Sequence, residues 1–188
     1  MDTGLIAQLG PLATLAGVWE GTTGEDSAPS DDRGTERNQF RERMAFEPLN
    51  PVRNHEQTLY GLRYITTAWR IGEADPFHED LGYWLWDAEA KQVTRCFIVP
   101  RGVSVIAGGT VEPSAKSFSL AADVSSHTYG ICSNLFLDKA FKTVRYELTV
   151  TFLDGDRFYY EQDTQLQIPG QANLFHHRDQ NTLSRVKA

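Results

Sequence analysis

Alternation of apolar and polar residues along short segments is the feature that most constrains the fold of this 188-residue chain. In residues 142–153, every second residue from Val144 onward is apolar or aromatic, and the residues between them are polar. A period of two residues is that of a β-strand with one buried face. Asp154-Gly155 then provides a hairpin turn, and residues 157–168 read as the return strand.

About ten such segments follow one another at short, regular spacing. They lie at residues 17–23, 37–47, 56–70, 81–86, 93–99, 103–111, 118–124, 142–153, 157–168 and 174–186. A meander of this size closes into an up-and-down barrel, because closure removes the exposed strand edges. The sequence therefore predicts an all-β fold: a single antiparallel barrel of about ten strands, in one domain over residues 1–188.

Two kinds of segment interrupt this pattern. The apolar residues 5–16, broken by Gly10-Pro11, predict a short N-terminal helical turn. Residues 24–35 are polar and predict a loop after the first strand, and residues 136–141 predict a cap over one end of the barrel. A barrel of eight to ten strands is wide enough to hold a small ligand, so the interior is the place to look for function.

Charge and composition exclude several classes of partner and of site. The net charge of −7 argues against nucleic acid and against an anionic membrane surface as partners. The sequence contains no phosphate-binding glycine loop, no HExxH motif and no GxSxG motif. Cys96 and Cys132 stand in neither a CxxC nor a zinc spacing, and no secretory signal is visible, so we expect a reducing, cytoplasmic location.

A histidine pair in the last strand segment is the most direct candidate for a site. His176 and His177 must face opposite sides of a strand, so only one of them can enter the barrel. A neutral imidazole is a common ligand of iron and other metals. The alternative is a histidine at the rim or on the surface, because Arg178 and Asp179 make the neighbourhood polar.

Several short motifs resemble the nitrobindin-like family of intracellular haem-binding β-barrels, which are related in architecture to lipocalins and fatty-acid-binding proteins. Gly17, Trp19 and Gly21 match the opening glycine–tryptophan pattern of that family, whereas Thr23 and Glu25 replace its later glycines. Further along, residues 76–84 and 108–111 are similar to its proline–histidine–acid–glycine segment and its mid-chain glycine turn. The order of these motifs spans nearly the whole chain, and it implies a lipocalin-like barrel.

The resemblance also implies a cofactor and the residues that hold it. It implies haem b with His177 as the axial metal ligand, since Leu183 and Arg185 follow it as in the closing strand of the family; His176 is the candidate if a bulge shifts the register. Four further residues are implied as cofactor contacts: Trp19, Gly21, Tyr64 and His78. The implied chemistry is binding of a diatomic gas such as nitric oxide, and any enzymatic activity would be haem-dependent peroxynitrite isomerisation.

Each of these residues also has a purely structural interpretation. Trp19 is suited to plug the closed end of a small barrel, and His78 to hydrogen-bond Glu79 or Asp80. Tyr64 belongs to an aromatic-rich set that forms either a flat slot for haem or simply the core.

Two other functions stay open at this point. One is a metal-free carrier or sensor of a small hydrophobic ligand such as a fatty acid. An inward arginine would pair with the carboxylate of such a ligand. Arg63 and Arg145 are the two candidates, and for each an outward orientation is favoured. The other is an interaction module with a filled interior. The sequence leaves the oligomeric state open, a homodimer included.

Overall fold

Ten long strands form one closed antiparallel barrel in the computed structural model, which describes residues 3–187. The strands, in chain order, are β1 (Gly17–Pro29), β2 (Thr35–Pro48), β3 (Val52–Asn54), β4 (Gln57–Arg70), β5 (His78–Asp87), β6 (Gln92–Val99), β7 (Val103–Thr110), β8 (Ser117–Asp123), β9 (Ile131–Ser133), β10 (Lys142–Phe152), β11 (Arg157–Gln167) and β12 (Phe175–Arg185). The short strands β3 and β9 are additions that pair with β4 and β7. The other ten follow one another around the barrel in chain order, and β12 closes the ring against β1. This confirms the predicted all-β meander of about ten strands.

A short helical segment covers one end of the barrel. The helix α1 (Thr3–Ala7) leads into a 3-10 helix, Gly10–Leu15, whose Leu12 and Leu15 are fully buried, and this confirms the predicted N-terminal turn. Trp19 lies beneath it with no exposed surface, donates its indole N–H to the Leu15 carbonyl over 2.7 Å, and meets the edge of Phe158. We call this the closed end.

The other end is open to solvent, and we call it the mouth. His78 and His177 lie on inward faces there, yet their side chains keep 37% and 35% of their surface exposed. A second helix, α2 (Leu135–Ala140), precedes the mouth end of β10, in the segment where the sequence predicted a cap. None of the helices described for residues 3–187 has the length and apolar character that a bilayer crossing requires.

The first strand is longer than the sequence predicted. Residues 24–29 were expected in a polar loop, but β1 continues through them to Pro29, paired with β2 on one side and with β12 on the other. A register shift after Gly21 allows this continuation. The polar side chains of this stretch did not read as a strand because their inward face lines a polar mouth and not an apolar core. As a result, Asp26 is buried beside the closing strand.

Candidate functional site

Strict alternation along β12 decides which histidine of the pair enters the barrel. Leu183 and Asn181 are fully buried on the inward face, and His177 shares their parity. His176 points outward, where its Nδ1 lies 2.6 Å from the Asp163 carboxylate. The inward imidazole of the pair is therefore that of His177.

His177 is held by a buried carboxylate. Its Nε2 lies 2.9 Å from Oδ1 of Asp26, which is only 5% exposed. Burial lowers the pKa of His177, but the hydrogen bond to Asp26 and the nearby Asp179 and Asp163 outweigh it and raise the pKa above its ordinary value. No hydrogen bond engages the Nδ1 of His177 within residues 3–187, so Asp26 orients the ring through Nε2 alone.

A second histidine with a buried carboxylate stands at the same mouth. The Nε2 of His78 lies 3.1 Å from Oδ2 of Asp80. Burial lowers the pKa of His78, and the contact with Asp80 outweighs this effect, so that its pKa is raised. Strands β4, β2 and β1 separate β5 from β12 on one side of the ring, so the two imidazoles face the mouth from different walls.

A buried arginine crosses the lumen below these histidines. Arg95 donates from its Nε to the Tyr64 hydroxyl over 3.0 Å, and from its Nη2 to the two oxygens of the Asp80 carboxylate over 3.2 and 3.4 Å. It also donates to the Tyr146 hydroxyl and, over 3.4 Å, to Gln162. Burial would raise the pKa of Asp80, but Arg95 and His78 hold it below the ordinary value.

Arg95 and the four side chains that it contacts form a layer across the lumen, which we call the arginine layer. This layer extends to the strand that carries His177. Gln162 donates to Asp179 over 2.6 Å, so a continuous chain of polar contacts runs from His78 through Asp80 and Arg95 to Asp179. Burial raises the pKa of Asp179, although His177 and Gln162 lower it. The arginine layer thus lies between the open mouth and the apolar core at the closed end.

Glu42 forms a second polar group in the lumen, nearer the closed end. Its carboxyl accepts from Asn181 Nδ2 over 2.8 Å and from the Tyr160 hydroxyl over 3.2 Å. Burial raises its pKa to about 8, against the lowering effect of these two hydrogen bonds. A neutral carboxyl is the form that this low-dielectric position favours at neutral pH.

The residues expected to contact a cofactor do not all lie together. His177 and His78 both lie at the mouth, on different walls, and Tyr64 lies in the arginine layer beneath it. Trp19 is at the closed end, seven residues from Asp26 along β1 or roughly 20 Å. Gly21 packs against the closing strand, since a Cβ there would come within 2.6 Å of the Asn181 amide. The geometry therefore gives Trp19 and Gly21 packing roles and not a place at the mouth.

Sequence reasoning missed Arg95 and Asp26 as lumen residues. Arg95 lies in phase with the buried Val93 and Phe97 on β6, and that parity was the available signal. Arg63 and Arg145, the arginines that were considered, both point outward as favoured, with Glu47 and with Asp123 and Glu147 as their partners.

Comparison with known proteins places the chain in a family. Residues 8–185 match the model of the THAP4-like, heme-binding beta-barrel domain. This chain belongs to that family. Two similar curated proteins are the peroxynitrite isomerases of Leifsonia xyli subsp. xyli, 41% identical over 85 residues, and of Clavibacter michiganensis subsp. michiganensis, 39% identical over 86 residues. Each match covers 45% of this chain and only 38% of the relative's length.

A solved structure shares the fold over the whole chain. The crystal structure of Rv2717c from M. tuberculosis superposes with a TM-score of 0.66, covering 97% of this chain and 98% of that one, at 20% sequence identity. This likeness shows that the two chains share one barrel fold.

His177 and the carboxylate that holds it fit a haem that takes one ligand from the protein. No cluster of three or more His, Cys, Asp or Glu side chains in residues 3–187 is arranged to hold a bare metal ion. A haem needs only one protein ligand, because the porphyrin supplies the other four nitrogens. His177 meets the usual pattern of such a ligand, in which one ring nitrogen binds the metal and the other contacts a carboxylate.

Proposed function

We propose that this chain binds haem b at the mouth of the barrel through His177. The observation that carries the proposal is the inward, partly exposed imidazole of His177 held by the buried carboxylate of Asp26. Membership in the heme-binding barrel family supports it independently. We assign haem b because the sequence has no CxxCH motif for covalent attachment.

The side chains at the mouth divide the work of holding and orienting the group. His177 would bind the iron, and Asp26 would fix the ring and make its free nitrogen a better donor. The arginine layer would keep the group at the mouth, because Arg95, Tyr146 and Gln162 already fill the lumen below. Tyr64 contributes to that layer through its hydroxyl.

The chemistry that we propose for this chain is that of the peroxynitrite isomerases that it resembles. When bound, a haem with one histidine ligand supplies an open coordination position for a diatomic gas or for peroxynitrite. His78, whose pKa is raised, would hold a proton at the mouth and attract an anion into a protein that is acidic overall. Asp80 and Arg95 would keep this ring in place. We propose conversion of peroxynitrite to nitrate as the activity, in one domain spanning residues 1–188.

A cytoplasmic location is part of the same proposal. Cys96 and Cys132 are both free thiols, which suits a reducing compartment.

Carriage of a fatty acid without metal is the weaker candidate. A carboxylate ligand would need an inward cation with free donors. Arg95 is the buried arginine of the lumen, and Asp80, Tyr64, Tyr146 and Gln162 engage its donors. We therefore prefer the haem proposal.

Stopped-flow measurement of peroxynitrite decay tests the activity. Protein reconstituted with haemin should accelerate the decay and yield nitrate in proportion to bound haem. His78→Gln should lower the second-order rate constant by about tenfold or more, because the proton at the mouth is lost, while the haemin content stays unchanged. The proposed activity would be contradicted if peroxynitrite decayed no faster with the reconstituted wild-type protein than with the protein without haemin.

A further inference from the structure

The rim of the mouth carries two apolar side chains that protrude further than any others described for residues 3–187. Leu135 and Phe136, at the start of α2, are 81% and 61% exposed, and the next in order, Ile71 and Ile98, are each 52% exposed. Apolar residues exposed one at a time are ordinary on a protein surface. Two adjacent side chains this exposed bury little apolar area, so they contribute little to the stability of the fold.

The protrusion is fixed by the way in which α2 is anchored. Asn134 caps the helix by accepting the Leu137 N–H over 2.9 Å, and its Nδ2 donates to the Arg101 carbonyl over 2.7 Å. The backbone N–H of Asn134 donates to the Gly102 carbonyl over 2.9 Å. Leu137 is the buried residue of α2. The helix is thus tied to the β6–β7 turn on one side, and its other face is held towards solvent.

The loop between β11 and β12 adds a third apolar side chain beside α2. Arg33 lies 5.7 Å from the ring centre of Phe141, which ends α2, and donates to the Pro169 carbonyl of this loop over 3.2 Å. The same loop carries Leu174, which is 42% exposed. We call these three exposed side chains the apolar rim: Leu135, Phe136 and Leu174.

Two cations without carboxylate partners lie beside the apolar rim. Arg101 and Lys139 are exposed, and within residues 3–187 neither has a carboxylate oxygen within 4.0 Å. Asp138 is the acidic residue of α2, and Lys142 pairs with it over 3.1 Å. The charge next to the apolar rim is therefore positive, although the net charge of the chain is −7.

We propose that the apolar rim docks the mouth of the barrel onto the surface of an anionic lipid bilayer. Leucine and phenylalanine side chains enter the boundary between headgroups and acyl chains, and neighbouring Lys and Arg contact the lipid phosphates. The shape favours lipid over a protein partner. A specific protein interface needs about 800 Å² of complementary surface on each side, whereas a few protruding side chains can insert into a fluid phase without such a match.

The acidic character of the whole chain does not oppose this docking. Charges more than about 10 Å from the bilayer are largely screened at an ionic strength of about 0.1 M, so the charges beside the apolar rim decide the interaction. The argument from net charge against an anionic surface thus applies to the molecule as a whole and not to α2. Docking requires no bound haem, so it is tested on protein without haemin and stands or falls separately from the proposed function.

Co-sedimentation with lipid vesicles tests the proposal. Wild-type protein should bind vesicles of phosphatidylcholine that contain about a third phosphatidylglycerol, and bind pure phosphatidylcholine about tenfold more weakly. Leu135→Ser and Phe136→Ser should each weaken binding to the mixed vesicles by about tenfold, because each removes an inserted apolar side chain. Lys139→Glu should do the same by reversing a charge. Leu153→Ser, a matched change of an exposed leucine at the closed end, should leave binding unchanged.

A dye placed on α2 reports the orientation of the docked protein. In a Cys96→Ser, Cys132→Ser background, an environment-sensitive dye on Leu135→Cys should brighten several-fold with the mixed vesicles, and the same dye on Leu153→Cys should not. Wild-type protein that stays unbound at about 1 mM lipid, where an association constant of about 10⁴ M⁻¹ already suffices for binding, overturns the proposal. Vesicle binding that Leu135→Ser, Phe136→Ser and Lys139→Glu all leave unchanged overturns it too, as does an apolar rim that binds a protein and no vesicles.

Discussion

Glu42 is a carboxylic acid buried in the middle of a barrel, and its ionisation links stability to pH. Its pKa rises from an ordinary 4.5 to about 8 because burial penalises the charged form. Between these two values the unfolded chain binds fewer protons at this site than the folded chain does. The free energy of unfolding should therefore fall as pH rises through this window, by up to about 1.4 kcal/mol per pH unit.

Glu42→Gln should remove this dependence, because an amide can keep the contacts with Asn181 and Tyr160 without titrating. Urea unfolding at several pH values between 5 and about 8.5 measures it, and the variant should gain stability relative to wild type as pH rises. Glu47→Gln on the outer surface is the matched control, with a slope like that of wild type. Parallel curves for wild type and Glu42→Gln would contradict the assignment of a buried neutral acid.

Arg95 contacts the other side chains of the arginine layer, so its removal should lower the free energy of unfolding substantially. Arg95→Met would take the buried guanidinium away from Asp80 and leave it with the His78 imidazole alone, and removing one partner of a buried pair costs about 3–5 kcal/mol. Arg63→Met breaks an exposed ion pair and should cost less than about 1 kcal/mol. Chemical unfolding measures the free energy of unfolding of both variants. Equal losses would show that the arginine layer stabilises the fold no more than an exposed ion pair does.

The location of Arg95 shows how far the sequence reaches at the scale of a residue. The parity of β6 placed it inward with Val93 and Phe97, but a charged residue on a buried face reads as an exception until its partners are known. Those partners, Asp80, Tyr64, Tyr146 and Gln162, come from four other strands and lie 15 to 67 residues away. No local pattern brings such groups together.

At the scale of an element, β12 was read correctly and β1 only in part. Alternation along β12 required one inward histidine, and the buried Asn181 and Leu183 settle that it is His177. In β1, residues 24–29 are polar on both faces, so periodicity could not identify them as strand. The carboxylate that orients His177 lies in that missed stretch, and for this reason the pairing of Asp26 with His177 had to come from the structure.

Gly21 gives β1 a testable packing requirement. A Cβ at this position would lie 2.6 Å from the Asn181 amide and 2.8 Å from the Thr182 carbonyl oxygen. Gly21→Ala should therefore destabilise the protein by about 1–3 kcal/mol through overpacking. Gly155→Ala places its methyl group in open space at the β10–β11 turn and should change stability by less than about 0.5 kcal/mol.

The same pair of variants separates packing from cofactor contact. If Gly21 acts only through packing, the folded Gly21→Ala protein binds haemin with wild-type affinity in a titration. A large loss of haemin affinity in a protein of near wild-type stability would instead restore the cofactor role that family resemblance implied.

At the scale of the whole molecule, local signals predict the barrel, but they do not predict the site at its mouth. Regular turns and alternation suffice to predict a closed meander, because each strand pairs with the next in the chain. The mouth depends on side chains of β1, β5 and β12. It forms only when the ring closes and brings the inward faces of these strands together.

Haemin titration of His177 variants tests the central claim most directly. The Soret band of haemin should shift when the wild-type protein binds it. His177→Gly should weaken haemin binding by more than about 100-fold, which is a larger loss than follows from removing a residue that only contacts the iron ligand. His176→Gly, the outward neighbour, should bind like wild type, and added imidazole should restore the wild-type spectrum to His177→Gly. A Soret shift in His177→Gly equal to that of wild type, without imidazole, would contradict the assignment of His177 as the iron ligand.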